Sequence, residues 1–285
     1  MLPAELPADG HVHTEWSWDT VAGSLARSCQ RAVALGLPAV AFTEHADFTH
    51  WELDPRRAAQ LPTHLRPRLT GGRLAPPRLE LAGYLAAVDR CRSRYPGLRI
   101  LTGVELGEPH WHPARVAELL GAGGVDRVLG SLHSLPAGDG FQLVDHGFDR
   151  RPALEVVRDY LAELLRMIEA GPPFAVLAHL DYPIRHWPAT AGRYDPRRLA
   201  EEHRSVLRAL AGTGRALEVN TVRRPSARVL RWWYEVGGEA VCFGSDAHHP
   251  AAVARGFARA ARLAEACGFR PGRHPYDFWL RAGRR

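Results

Sequence analysis

Lysine is absent from this 285-residue chain: all 37 basic residues are arginine. Against 31 acidic residues they leave a formal net charge of +6. Such a charge suits an anionic substrate or a nucleic acid and equally an arginine-rich proteome, so charge alone selects no function. No basic run interleaved with aromatics marks a nucleic-acid groove, and Arg284-Arg285 reads as a solvated end. Cysteine is scarce. Cys29, Cys91, Cys242 and Cys267 are isolated, without a CxxC pair, and Cys29, Cys91 and Cys267 fall in segments of helical periodicity. Buried thiols are therefore expected in preference to disulfides or zinc thiolates. No apolar run is long enough to cross a bilayer, and MLPAELPADGHVH carries no basic stretch followed by an apolar one. A cytoplasmic protein without a membrane partner is expected. Low complexity is confined to LPTHLRPRLTGGRLAPPR, and no internal repeat is evident.

What is present describes a globular protein: 46% hydrophobic and 24% charged residues, with aromatics spread along the chain. The length admits two ordinary domains, but a barrel commonly runs to this size as one unit, and residues 1–285 are read as a single domain. Short apolar stretches alternate with longer helical ones, the mark of βα units around a parallel sheet. Strands are expected at Gly10–His13, Ala39–His45, Arg99–Leu106, Val125–His133, Ala175–Asp181, Ala216–Thr221 and Ala240–His248. Helices are expected, among others, at Thr20–Leu35, Leu79–Arg94, Ala153–Ala170, Pro196–Ala211, Ser226–Val236 and Ala251–Ala266. The long connections Ala46–Arg78 and Leu135–Pro152 read as loops over an active site.

Almost every expected strand ends in His, Asp or Glu: His11 and His13, Glu44-His45, Glu105, His133, His179 with Asp181, Glu218, then Asp246 and His248. In a parallel barrel all these ends open onto one face, so residues distant in sequence converge there. One histidine at a strand end is an ordinary hydrogen-bonded residue. A whole series of buried imidazoles and carboxylates needs a shared partner, and a divalent transition metal supplies it.

The ordered set HVH, TEH, GVEL, SLH, AHLD and GSDAH, from about His11 to Phe257, resembles the polymerase-and-histidinol-phosphatase family of metal-dependent phosphoesterases. TEHADF, GSLHSLP, AHLDYP, LEVNT and GSDAHHP make it most similar to the histidinol-phosphatase branch. The resemblance implies an α/β fold, a distorted TIM-like barrel of seven βα units, with two or three divalent ions (Zn, Fe or Mn) at the C-terminal strand ends. It places His11, His13 and Asp246 on the first metal, with Glu105 bridging to a second on His45 and His133. Asp19, His179 and His248 match the third site, although Asp19 could instead cap the helix beginning near Thr20.

Glu44 and Asp181 are expected to orient ligand imidazoles, with direct ligation the alternative. Asn220 and Glu218 could contact substrate, Glu218 alternatively lining the barrel. Arg150, Arg151, Arg185 and Arg223 lie in loops of the open face, where one or two would hold phosphate bidentately and the others would be solvated. His186, His110, His112 and His249 belong to the same face, and His186 or another would protonate the leaving group, unless a metal-bound water does so. Trp16, Trp18, Trp51, Trp111 and Trp187 flank the motifs as pocket walls or packing residues.

Together these residues point to hydrolysis of a small phosphate monoester by metal-activated hydroxide, with Glu105, Asp246, His248 and His186 in catalytic roles. Within the resemblance, the leading substrate is L-histidinol phosphate. The alternatives are a phosphatase or phosphodiesterase of the same fold acting on nucleotides, sugar phosphates or a specialised metabolite, and a nuclease. A non-catalytic metal-binding protein would show gaps in the ligand set, and there are none.

Overall fold

A computed structural model describes residues 6–222 and 226–283. Seven parallel strands, each followed by a helix, make up its frame. They are β1 (Asp9–Val12), β2 (Ala39–Ala46), β3 (Arg99–Gly107), β4 (Arg127–Ser131), β5 (Val176–Leu177), β6 (Ala216–Asn220) and β7 (Ala240–Gly244). The helices are α1 (Leu25–Leu35), α2 (Leu81–Arg94), α3 (Pro113–Gly121), α4 (Ala153–Glu169), α5 (Ala200–Gly212), α6 (Ala227–Glu235) and α7 (Phe257–Ala266). The seven strands lie side by side in chain order, and the antiparallel segments Trp279–Arg281 and Phe269–Arg270 extend the sheet beyond β7. The curl closes beyond the end of β7, where Val12 bridges Ala247, His13 N donates to Ala247 O (2.9 Å) and Asp246 N to His11 O (2.8 Å). This is the expected distorted barrel.

Local chemistry accounts for the boundaries. β2, AVAFTEHA, is buried along its whole length, as a parallel strand covered on both faces must be. The helix expected from Thr20 begins only at Leu25: the Ser24 side chain accepts from Arg27 N, and Gly36 at φ 68° ends it. Gly23 lies so close to the Thr14 backbone that a Cβ there would stand 2.5 Å from Thr14 C, and residues 20–23 stay outside the helix. Asp19 is therefore not a helix cap. The strands expected through Asp181 and His248 stop at Leu177 and Gly244, because His179 (φ 58°) and Asp246 (φ 52°) take left-handed conformations that break the ladder. The segments at Pro196–Leu199 and Pro250–Ala252 are 3-10 turns leading into α5 and α7.

The main core lies between helices and sheet, with Phe42, Tyr84, Tyr160, Leu177, Leu217, Trp233 and Phe257 fully buried. All four cysteines are free and buried, as expected. The connections 46–78 and 134–151 hold short elements of their own and are tied together: Arg57 pairs with Asp149 (2.6 Å) and Asp145 (3.0 Å), and Trp51 Nε1 donates to Ser134 Oγ (2.8 Å). Among the described residues no helix is long and apolar enough to cross a membrane.

His203 on α5 is 4% exposed, and its Nδ1 lies 2.8 Å from Leu199 O. Burial holds its pKa below the usual 6.5, so the unfolded chain takes up this proton first. The native state therefore loses stability as pH falls below about 6.5. Thermal melts between pH 7 and 5 should show His203→Gln losing less stability than the parent, and parallel curves would refute this.

Candidate metal centre

Glu105, fully buried near the end of β3, is the hub of the barrel mouth. Register sets it opposite His45 on β2. Its Oε2 lies 3.2 Å from His11 Nε2, 3.2 Å from His13 Nε2 and 3.4 Å from His45 Nδ1. Its Oε1 lies 3.3 Å from His133 Nε2 and 2.6 Å from His179 Nε2. Asp246 Oδ1 stands 3.3 Å from His13 Nε2 and 3.6 Å from His11 Nε2. Asp19 Oδ2 stands 3.0 Å from His248 Nε2 and 3.4 Å from His45 Nε2. All nine expected ligands thus reach one site. One grouping differs from expectation: His179 collects with His11 and Glu105, whereas His248 collects with His13 and His45. His179 sits in a left-handed turn, and its ring meets the hub at Glu105 Oε1. Strained backbone of this kind, shared by Asp246, concentrates where surrounding structure overdetermines a functional geometry.

The electrostatics are those of a cation site. Burial alone would raise the pKa of Glu105, yet His11, His179, His45 and His133 hold it well below the carboxylate range. Burial likewise disfavours protonated His45, but Asp19, Asp47 and Glu105 raise its pKa to about 10. His179 goes the other way, down to about 4, through burial and the neighbouring Arg185 guanidinium. Four buried atoms, Asp19 Oδ1, His45 Nδ1, Asp47 Oδ1 and Glu105 Oε1, have no hydrogen-bond partner. Four groups of three such side chains, His13 with His45 and His248, His11 with Glu105 and His179, His11 with His13 and Asp246, and His45 with Asp47 and His133, each bring donor atoms within 4.8 Å of one another, which is what a divalent metal satisfies.

Neighbouring groups aim these ligands. Glu218 Oε1 lies 2.6 Å from His11 Nδ1, which makes Glu218 an orienting partner rather than a substrate contact. Glu44 reaches an imidazole only through a hydroxyl: Ser17 Oγ donates to Glu44 Oε2 (2.5 Å) and lies 3.0 Å from His13 Nδ1. Ser17→Ala breaks this relay, and metal affinity measured against a chelator should fall by about 10- to 100-fold, as for other outer partners. Unchanged affinity would show that the relay is idle. Asp181 adds to the negative field on Arg185.

The other expected residues divide. Arg185 reaches the centre, donating to Asp246 Oδ2 (2.6 Å) and standing 2.7 Å from His179 Nδ1. His186 lines the same cavity of about 450 Å³, with Trp18, Trp51, Leu65 and Leu143 as its apolar wall. Arg150 and Arg151 turn away to Asp54 (3.0 Å) and Asp159 (2.6 Å). Asn220 is fully buried, donating to Glu218 Oε2 and accepting from Val222 N, which leaves it no edge for substrate. Arg223 lies outside the described residues. His110 pairs with Glu163, His112 meets Thr49, and His249 lines an adjoining cleft. Trp16 packs near Tyr84, Trp111 stacks on Phe141 and Trp187 meets Tyr194.

Sequence reasoning missed Asp47 and Glu108. Asp47 had a signal, since two residues past His45 on an extended strand it shares the same face. Glu108 had none: it sits at φ 45° and accepts from His133 N (2.6 Å), Ser134 N (2.9 Å) and Thr49 Oγ1 (2.8 Å), fixing the turn that carries His133.

The model of the PHP domain matches residues 9–222. A probable histidinol-phosphatase of Thermotoga maritima is 36% identical over 135 residues, 44% of this chain and 55% of that protein, so this match spans about half the relative's length. The histidinol-phosphatase of Lactococcus lactis is 24% identical over 251 residues, 84% of this chain and 83% of its own. A crystal structure of the Lactococcus lactis histidinol phosphate phosphatase, complexed with zinc, L-histidinol and phosphate, aligns with a TM-score of 0.73 at 22% identity, covering 93% of this chain and 95% of that one.

Proposed function

Because the chain belongs to the PHP domain family, we propose that it is a metal-dependent phosphoric monoester hydrolase converting L-histidinol phosphate to L-histidinol and phosphate in histidine biosynthesis. The observation that carries this reading is the convergence of imidazoles and carboxylates from successive strand ends on Glu105. The names of the relatives support the substrate. On this reading residues 1–285 act as one barrel domain in the cytoplasm.

Two or three ions of zinc, iron or manganese are proposed. His11, His13 and Asp246 would hold one, and His45 and His133 a second, with Glu105 beside both. Asp19 and His248 would contribute to a third, and His179 stands against Glu105. Bound there, divalent ions make water nucleophilic near neutral pH and offset charge developing on phosphoryl oxygens.

The protein's own groups do the rest. The planar Arg185 fork at the mouth matches a phosphoryl group bidentately. His186 lines the same cavity and would protonate the departing alkoxide. The wall of Trp18, Trp51, Leu65 and Leu143 leaves room for a flat ring.

The test is phosphate release from L-histidinol phosphate beside nucleotide and sugar phosphates, after metal reconstitution, with His133→Ala as background. A preference for L-histidinol phosphate that vanishes in the variant is expected. Release from other esters but not this one would discard the substrate, and activity confined to nucleic acid with steep salt dependence would favour a nuclease.

A further inference from the structure

We propose that a second cavity, on the far side of the segment carrying Arg185, binds a free α-amino acid with an aliphatic side chain. The inference rests neither on the metal centre nor on the identity of the ester.

Residues 179–186 run between two cavities. His179, Tyr182, Arg185 and His186 line the metal cavity, whereas Leu180, Asp181 and Ile184 face a second one of about 200 Å³. Its other walls include Val157 of α4, His203 of α5, Val229 of α6 and, from the connection before α5, Arg193 and Tyr194. Pockets for drug-sized ligands run to roughly 300–1,000 Å³, so this one suits a smaller guest. Val157, Leu180, Ile184 and Val229 give it an aliphatic lining that favours an aliphatic group over water.

The polar groups are few and of opposite kinds. Arg193 pairs with no carboxylate among the described residues, and Tyr194 Oη is buried without a hydrogen-bond partner, a costly state for a hydroxyl. These two donors, adjacent in the chain, match one carboxylate. Asp181 brings negative charge to the same cavity, and His203 brings a lone pair. The His203 Nδ1 lies 2.8 Å from Leu199 O and so carries the ring proton, which leaves Nε2 to accept. Together they match an ammonium. A guest with one charge would leave either the guanidinium or the carboxylate poorly matched, whereas a zwitterion answers both.

The experiment is titration calorimetry on the full metal-loaded chain with L-leucine, in saturating inorganic phosphate so that the metal centre is already occupied. One equivalent should bind with a Kd below about 1 mM. Isocaproate, which lacks the ammonium, and isoamylamine, which lacks the carboxylate, should each bind at least about tenfold more weakly, since each leaves a charged group unanswered. Arg193→Ala, a change at an exposed side chain, should weaken leucine at least about tenfold, and Tyr194→Phe, which keeps the ring, by about fivefold. No binding at millimolar leucine, equal binding of either analogue, or parental affinity in Arg193→Ala overturns the proposal. Because the readout is leucine binding and not turnover, a failure of L-histidinol phosphate as substrate leaves it untouched.

Discussion

Glu105→Gln is expected to lower phosphate release by at least about 10³-fold, from the several kcal/mol that metal ions contribute to a charged transition state. Glutamine keeps the shape of the side chain and removes its charge. That charge is what five imidazoles share, those of His11, His13, His45, His133 and His179. A neutral amide would be a poorer ligand for a cation, and its NH₂ group would face rings that need an acceptor. Metal content should fall together with kcat/KM, while a circular-dichroism melt reports whether the fold survives. Full metal content with activity within tenfold of the parent would remove Glu105 from the centre of the mechanism.

The second large effect is expected at Arg185. The guanidinium donates to Asp246 and stands against His179 Nδ1. Against the opposing effect of burial, the Asp246 and Asp181 carboxylates keep it charged. In turn, burial would raise the pKa of Asp246, and Arg185 with His11 holds it well below its ordinary value. Arg185→Ala removes the fork proposed to hold the phosphoryl group, two charge-assisted hydrogen bonds worth about 1.5–3 kcal/mol each, which predicts a fall in kcat/KM of roughly 10²- to 10⁴-fold. Arg185→Lys should recover little, since a single ammonium cannot reproduce the planar fork. Inhibition by inorganic phosphate should weaken in parallel if the fork holds the phosphoryl group. Phosphate inhibition that stays at parental strength in Arg185→Ala would place phosphate elsewhere.

The architecture was legible where physics is local. Apolar strands such as AVAFTEH and AVCFG announce burial within seven residues, and Ser24 and Gly36 mark the ends of their helix by capping chemistry alone. The expected strand ends overran at Asp181 and His248, because the left-handed turns at His179 and Asp246 are imposed by neighbours and leave no trace in propensity. The arginines show the same limit. Arg150 and Arg185 both belong to segments bordering the barrel mouth, yet Arg150 meets Asp54 and Arg185 meets Asp246, 96 and 61 residues away respectively.

By itself, the sequence determined the parallel βα frame, the inventory of donors at its strand ends and the family. Residue type, order and alternation carry these, since side chains at the C-terminal ends of parallel strands converge whatever their details. Only the tertiary structure decided which donors share a neighbour: that His179 joins His11 and Glu105, that Glu44 acts through Ser17, and that Asp47 faces two histidines across the space that Gly107 leaves open. Such pairings depend on distances of a few tenths of an ångström between strands far apart in the chain. Packing and backbone strain set those distances, and neither is written in any single segment.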